Sequence, residues 1–126
     1  MVIRSATQKD LPAIKRLVAK FPKQLVQDPL PKVSAFCIAQ EKGKIIGCCA
    51  LEVYSRKIAE IRSLAVEPSY SGKGIATKLV RRCLSRARDL KVREVLAITG
   101  NQNLFTHLGF KTFHKERVAL FKVFRK

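Results

Sequence analysis

The chain has 126 residues, 26 of them Lys or Arg and 9 Asp or Glu, a formal net charge of +17. That length suits one domain over residues 1–126 with a real core, and the longest apolar runs fall far short of the roughly 20 residues that span a bilayer. The charge excludes an indifferent surface: the chain attracts polyanions, either small anionic ligands, nucleic acid or an acidic protein, unless it comes from a proteome that is basic throughout.

In chain order, Met1–Arg4 reads as a short strand entering a polar turn, with no leader pattern before it. Thr7-Gln8-Lys9-Asp10 carries a helix cap with an acidic partner three positions on. Leu11, Ile14, Leu17, Val18 and Phe21 recur at helical spacing and predict a helix showing an apolar stripe to a sheet. Pro22, Pro29 and Pro31 break the chain into a loop or a second short helix that also holds Lys23 and Lys32. Val33–Gln40 and Lys44–Val53 predict strands joined by a hairpin turn at Glu41-Lys42-Gly43, with Ile58–Val66 the third strand of the meander. A glycine-bearing loop follows and opens a helix from Lys73 to Leu90. Its apolar face is Ile75, Leu79, Val80, Cys83, Leu84, Ala87 and Leu90, and its other face carries Lys78, Arg81, Arg82, Arg86 and Arg88. Arg93–Thr99 is the next strand, Gly109 ends a short helix, and Phe110–Phe113 with Val118–Phe124 predict a closing hairpin. A meander followed by strand–helix–strand predicts an α/β fold whose sheet turns from antiparallel to parallel after the glycine loop.

That loop is the chemical centre of the chain. Gly72 and Gly74 allow sharp bends and close approach of a ligand, and the helix behind them directs unpaired N–H groups and its positive dipole end outward. A strand, a glycine loop and a helix start form an anion site, phosphate being the usual anion. The segment lacks both the nucleoside-triphosphate loop pattern and the three glycines of a Rossmann turn. It resembles instead the pyrophosphate loop of the GNAT superfamily, the Gcn5-related N-acetyltransferases, commonly Gln/Arg-x-x-Gly-x-Gly/Ala. Gly74 and Ala76 match the glycine and the small residue, while Ser71 stands at the Gln/Arg position, which loses a side-chain contact and keeps the backbone cradle. Leu64-Ala-Val66-x-Pro68-x-Tyr70 resembles the strand end and turn before that loop, and Leu104-Phe105-Thr-His-Leu-Gly-Phe110 resembles the family's F-Y-E-K-L-G-F segment.

The resemblance runs from Ile3 to Phe124, and Ile46–Leu51 with Ala59–Val66 look most like the acetyltransferase domain of N-acetylglutamate synthases and their stand-alone relatives. It implies the GNAT fold, a mixed central sheet with helices on both faces. It also implies acetyl-CoA as co-substrate, without a metal, at Leu64, Ala65, Val66, Ser71, Gly72, Lys73, Gly74, Ile75, Ala76, Thr77 and Phe105. The implied reaction is acetyl transfer to a primary amine by direct attack in a ternary complex, the acceptor being a glutamate-like amino acid or a peptide amine. The protein would be a cytoplasmic monomer or homodimer.

On a regular strand Ile58, Glu60, Arg62, Leu64 and Val66 point to one side, and charges at 60 and 62 in so apolar a strand suggest that side opens on a cleft. Glu60 is the candidate general base, acting directly or through a water. Arg62 either holds an acceptor carboxylate or pairs with Glu60, and Glu52 is the reserve base, with Tyr54 close in sequence. The resemblance also implies that exposed backbone at Leu64–Val66 pairs with pantetheine and that an N–H near Val66 holds the developing oxyanion. Phe105 stands where many members carry a proton-donating Tyr, which leaves Tyr70, Tyr54, Thr99 or water for the leaving thiolate; a thiol of reference pKa about 8.5 departs without strong acid help. Asn101 and Asn103 either touch the coenzyme or cap the short helix. The reading from another class is a non-catalytic GNAT-fold module that senses coenzyme A or binds nucleic acid. Cys37, Cys48, Cys49 and Cys83 lie in apolar surroundings without a C-x-x-C pattern, and His107 and His114 form no metal pair, so buried free thiols in a reducing compartment are expected.

Overall fold

The computed structural model describes residues 1–112 and 119–124. Five strands lie side by side in chain order: Val2–Ser5 (β1), Phe36–Glu41 (β2), Lys44–Val53 (β3), Ile58–Val66 (β4) and Glu94–Ala97 (β5). The first four are antiparallel neighbours and β5 runs parallel to β4, as a crossover through a helix requires. Leu11–Val18 (α1) covers one face of the sheet, and Ile75–Asp89 (α2) with the short Gln102–His107 (α3) covers the other.

Both faces are buried, and the side-chain alternation of each strand sorts the core into two clusters. Phe36, Ile38, Cys48, Ala50 and Ala65 meet Ile14, Leu17 and Val18 of α1. Cys37, Ala39, Cys49, Leu51, Ala59 and Ile61 meet Ile75, Leu79, Val80, Cys83 and Ala87 of α2, so the predicted apolar face of that helix is the buried one apart from half-buried Leu84 and exposed Leu90. Gly47 lies tight under α2: a Cβ there would lie 3.0 Å from Leu79 Cδ1 and 3.3 Å from Ile75 Cγ2. All four cysteines are unpaired and buried, with Cys37 Sγ 3.8 Å from Cys83 Sγ, and burial pushes the Cys48 thiol up to about 12.

Local chemistry explains the turns. Lys42 and Gly43 both have positive φ, at 50° and 78°, which closes the β2–β3 hairpin with the twist that strands prefer. Asp10 anchors the entry to α1. Its carboxylate accepts from Arg4 on β1 at 2.8 and 3.0 Å and from the Thr7 N–H at 2.7 Å, which holds it down to about 2.

Four expectations change. The strand predicted from Val33 starts at Phe36, because Val33–Ala35 forms one 3-10 turn. The last strand of the sheet covers only Glu94–Ala97, and α2 starts at Ile75 behind the glycine that precedes it. Of the predicted closing hairpin, Phe113–Val118 lie outside the described residues, and Phe110–Thr112 and Ala119–Phe124 carry no regular structure.

Candidate active site

The site is built around an irregularity in β4. β3 and β4 pair as Glu52 with Glu60 and Ala50 with Arg62, then as Cys48 with Ala65 and Gly47 with Val66. One extra residue therefore sits in β4, and Ser63 absorbs it with a φ of +55°. This bulge corrects the expectation that residues 58 to 66 keep one facing. Glu60 and Arg62 share the α1 face with Ala50, whereas Leu64 and Val66 turn to the α2 face and Ala65 takes the α1 face.

The bulge coincides with the end of β4–β5 pairing. Register runs from Ile58 with Glu94 to Ile61 with Ala97 and stops, while β4 continues to Val66. On the β3 side the Glu67 N–H donates to Ile46 O at 2.7 Å. Antiparallel alternation then directs the peptide groups of Val66, and of Leu64 before it, away from β3 toward the unpaired side. The sheet thus offers a short free edge inside the molecule, suited to an extended ligand that carries amides.

The glycine loop lies at the end of that edge. Pro68–Tyr70 make a 3-10 turn, and the Ser71 hydroxyl donates back to Pro68 O at 2.9 Å, so this side chain locks the turn. Gly72 and Gly74 have φ of +75° and +79° with open space where a Cβ would stand; the left-handed conformation is what requires glycine there. Gly74 caps α2 without a side chain, and the first helical bond in the ladder is Lys78 N–H to Gly74 O. The N–H groups of Ile75, Ala76 and Thr77 therefore have no intrahelical acceptor and face the loop mouth, a cradle for phosphate oxygens. Lys73 sits with its Nζ 5.1 Å from the Tyr70 ring centroid, at the rim of the same cradle.

The titratable residues gather on the α1 face. Glu52 and Glu60 are direct cross-strand partners, an arrangement of like charges that needs compensation. Arg62 Nη1 donates to Glu52 Oε2 at 2.6 Å, and its Nη2 reaches Pro29 O at 3.5 Å. The Tyr54 hydroxyl donates to Glu60 Oε1 at 2.5 Å and lies 3.4 Å from Glu52 Oε2. Loss of solvation at the hydroxyl, then the hydrogen bond to Glu60 and the charges of both carboxylates, push the Tyr54 phenol above its ordinary range. The cation thus pairs with Glu52 and not with Glu60, whose partner is the Tyr54 hydroxyl. The sequence places Tyr54 near Glu52 and among the possible acids, without linking it to Glu60. Its role beside Glu60 follows from the hairpin register, which sets positions 52 and 54 on one face opposite 60.

Other predicted residues take quieter places. Phe105 is 5% exposed and packs edge-to-face on Phe110 at 5.1 Å between ring centroids, a floor of the α2-side core and not an open wall. Asn101 caps α3 by accepting from the Leu104 N–H at 3.3 Å, and Thr99 accepts from the Asn101 N–H. A groove of about 350 Å³ runs between α1 and the Gln27–Val33 loop, next to the Pro29 carbonyl that Arg62 reaches. A larger one, about 440 Å³, lies away from the cluster, between α1 and the β2–β3 turn, where Lys20 pairs with Glu67. Among the described residues no cluster of His, Cys, Asp and Glu is placed to hold a metal, and no helix is long and apolar enough to cross a membrane.

A model of the acetyltransferase (GNAT) family matches residues 8–110. An amino-acid acetyltransferase of Mycobacterium tuberculosis is 35% identical over 117 residues, 86% of this chain and 67% of that one. The crystal structure of Rv2747 from Mycobacterium tuberculosis, in complex with CoA and NLQ, superposes with a TM-score of 0.86 at 35% identity, over 94% of this chain and 76% of that one. The N-acetylglutamate synthase of Neisseria gonorrhoeae, complexed with coenzyme A and N-acetyl-glutamate, shares the fold at a TM-score of 0.80 and 24% identity. The match covers 93% of this chain and 30% of the synthase.

Proposed function

The chain belongs to the acetyltransferase (GNAT) family and is an acetyl-CoA-dependent N-acetyltransferase, and from that premise we propose that its acceptor is the amine of a free amino acid of the glutamate type. The observation that carries this reading is the 35% identity, across 86% of the chain, with a protein named amino-acid acetyltransferase. The Arg62–Glu52 pair beside the free edge of β4 adds a chemical reason for it. Arg62 spends one N–H on Glu52, and a guanidinium carries five, so donors remain for the carboxylate that a free amino acid has and an internal peptide amine lacks.

The residues present suit coenzyme A. Gly72, Lys73 and Gly74 shape the loop, the N–H groups of Ile75, Ala76 and Thr77 would take the phosphates, and the outward peptide groups of Leu64 and Val66 would take the amides of the pantetheine arm, with Ala65 and Ser71 setting the backbone between them. What acetyl-CoA supplies when bound is an acyl group already activated as a thioester. The chain supplies the rest. Glu60 removes a proton from the acceptor ammonium, Tyr54 fixes the Glu60 carboxylate for that task, and Glu52 holds Arg62 against the acceptor carboxylate. The Val66 N–H, which faces away from β3, would serve as a backbone donor for negative charge developing at the acyl oxygen, its C=O remaining for the pantetheine arm. The phenol of Tyr54 is committed to Glu60, which leaves Tyr70, Thr99 or solvent to provide the proton for the departing thiolate.

One sheet joins both core clusters, which supports reading residues 1–126 as a single catalytic domain, and four unpaired thiols support a reducing cytoplasm as its compartment. The test is thiol release from acetyl-CoA with a panel of free amino acids and capped and uncapped peptides. Glutamate and its near analogues should be acetylated and peptides not. Glu60→Gln should lower kcat by about 10²–10⁴-fold with coenzyme binding retained by calorimetry. Turnover with peptides alone would overturn the acceptor assignment, and a fully active Glu60→Gln would overturn the base.

A further inference from the structure

The positive charge is concentrated, and the catalytic reading leaves most of it unused. Residues 73–93 carry eight cations, Lys73, Lys78, Arg81, Arg82, Arg86, Arg88, Lys91 and Arg93, against the single acid Asp89. The five on the solvent side of α2, Lys78, Arg81, Arg82, Arg86 and Arg88, are all exposed. At 3.6 residues per turn they spread over about 160° of the helix surface, and Lys78 to Arg88 covers about 15 Å of its length. Ion pairs found among the described residues join the N-terminus to Glu41, Arg4 to Asp10, Lys20 to Glu67 and Arg62 to Glu52, and none of them involves α2. Two of the guanidiniums rest on backbone carbonyls instead: Arg82 on Ile3 O at 3.5 Å and Arg86 on Ser34 O at 2.7 Å. Such anchoring keeps them extended over the β1 and β2 side of the helix at a fixed spacing.

The geometry points to the outer face of α2 as a docking surface for the phosphodiester backbone of nucleic acid. The cradle proposed for coenzyme A takes in only the loop and first turn of this helix, whereas the cations continue to its far end. About 15 Å of helix runs past at least four phosphates of one strand at about 3.4 Å per residue of axis. Four of the five cations are Arg, whose planar fork suits phosphate oxygens. Residues 73–93 include no aromatic side chain, so bases have nothing to stack on and the contact is to the backbone without sequence preference.

The experiment measures binding of the full chain to a fluorescein-labelled 20-base-pair duplex of arbitrary sequence, as RNA and as DNA, by fluorescence anisotropy across a salt series. The parent should give a slope of log K against log salt of about −4, for four to five phosphates neutralised. A triple variant, Lys78→Gln, Arg81→Gln and Arg88→Gln, avoids the two anchored guanidiniums. It should reduce that slope by about 3 and weaken binding about 100-fold at 0.15 M salt. A control triple removes the same charge elsewhere, at exposed Lys9, Lys23 and Lys57; it should change affinity less than about threefold, and both triples should melt within a few degrees of the parent. Equal losses in the two triples would show net charge alone at work and overturn the site. Displacement of the duplex by stoichiometric acetyl-CoA would assign these cations to the coenzyme. Tighter binding of polyglutamate than of either duplex would assign the face to an acidic protein.

Discussion

Replacing Asp10 by Asn should remove stability that depends on pH in a definite direction. The carboxylate is 6% exposed and accepts two hydrogen bonds from Arg4 and one from the Thr7 N–H. The Arg4 hydrogen bond is the largest influence, burial opposes it, and the balance lowers the carboxyl from 3.8 to about 2. Because the folded value is depressed, the contribution is complete above the unfolded value and is lost as pH falls through the folded one. A drop of nearly two units, at about 1.36 kcal/mol each, is worth about 2 kcal/mol. Urea unfolding followed by circular dichroism from pH 7 to pH 2 should therefore show parent and Asp10→Asn separated by about 2 kcal/mol above pH 5. The separation should narrow between pH 4 and 3 and nearly vanish near pH 2, since carboxylates elsewhere titrate alike in both chains and cancel. A separation that stays constant with pH would refute the reasoning and mean that the side chain acts through shape alone.

Tyr54→Phe should lower kcat about tenfold with the KM for acetyl-CoA unchanged, and should cost nothing further in a Glu60→Gln background; equal costs in both backgrounds, read as a double-mutant cycle, would separate Tyr54 from Glu60. Gly74→Ala places a side chain at a φ of +79° and should lose about 1 kcal/mol of stability together with coenzyme affinity by calorimetry. Gly47→Val pushes against Leu79 and Ile75, already 3.0 and 3.3 Å from the position of a Cβ, and should cost about 1–3 kcal/mol; an unchanged urea midpoint would mean that α2 yields freely.

What was legible in the sequence is what local chemistry encodes. β3 and β4 end where the apolar pattern ends, and Gly43 marks the hairpin turn because its positive φ favours glycine. The glycine loop was legible as well, because the left-handed backbone at positions 72 and 74 requires glycine. The bulge left no mark, since a Ser at φ +55° reads like any other polar residue in a strand. Every inference about facing beyond position 62 inherited that omission. The partner of Arg62 was equally hidden: Glu60 is nearer in sequence, but the cross-strand register brings Glu52 within 2.6 Å. Phe36 and not Val33 begins its strand because a single 3-10 turn interrupts the apolar run, and apolar content does not distinguish the two.

The four buried thiols give the molecule a chemical clock. Cys37 sits on β2, Cys48 and Cys49 on β3, and Cys83 on α2, each no more than 6% exposed. An alkylating reagent reaches them only in molecules that have opened, so at a stability of about 5 kcal/mol labelling slows roughly 10³–10⁴-fold relative to an unfolded chain. The site that reacts reports where the opening occurs. Modification of Cys37, Cys49 and Cys83 with Cys48 spared would record α2 lifting from the sheet, while simultaneous modification of all four would record global unfolding. A ligand seated in the loop ahead of α2 should stop the first clock before it slows the second.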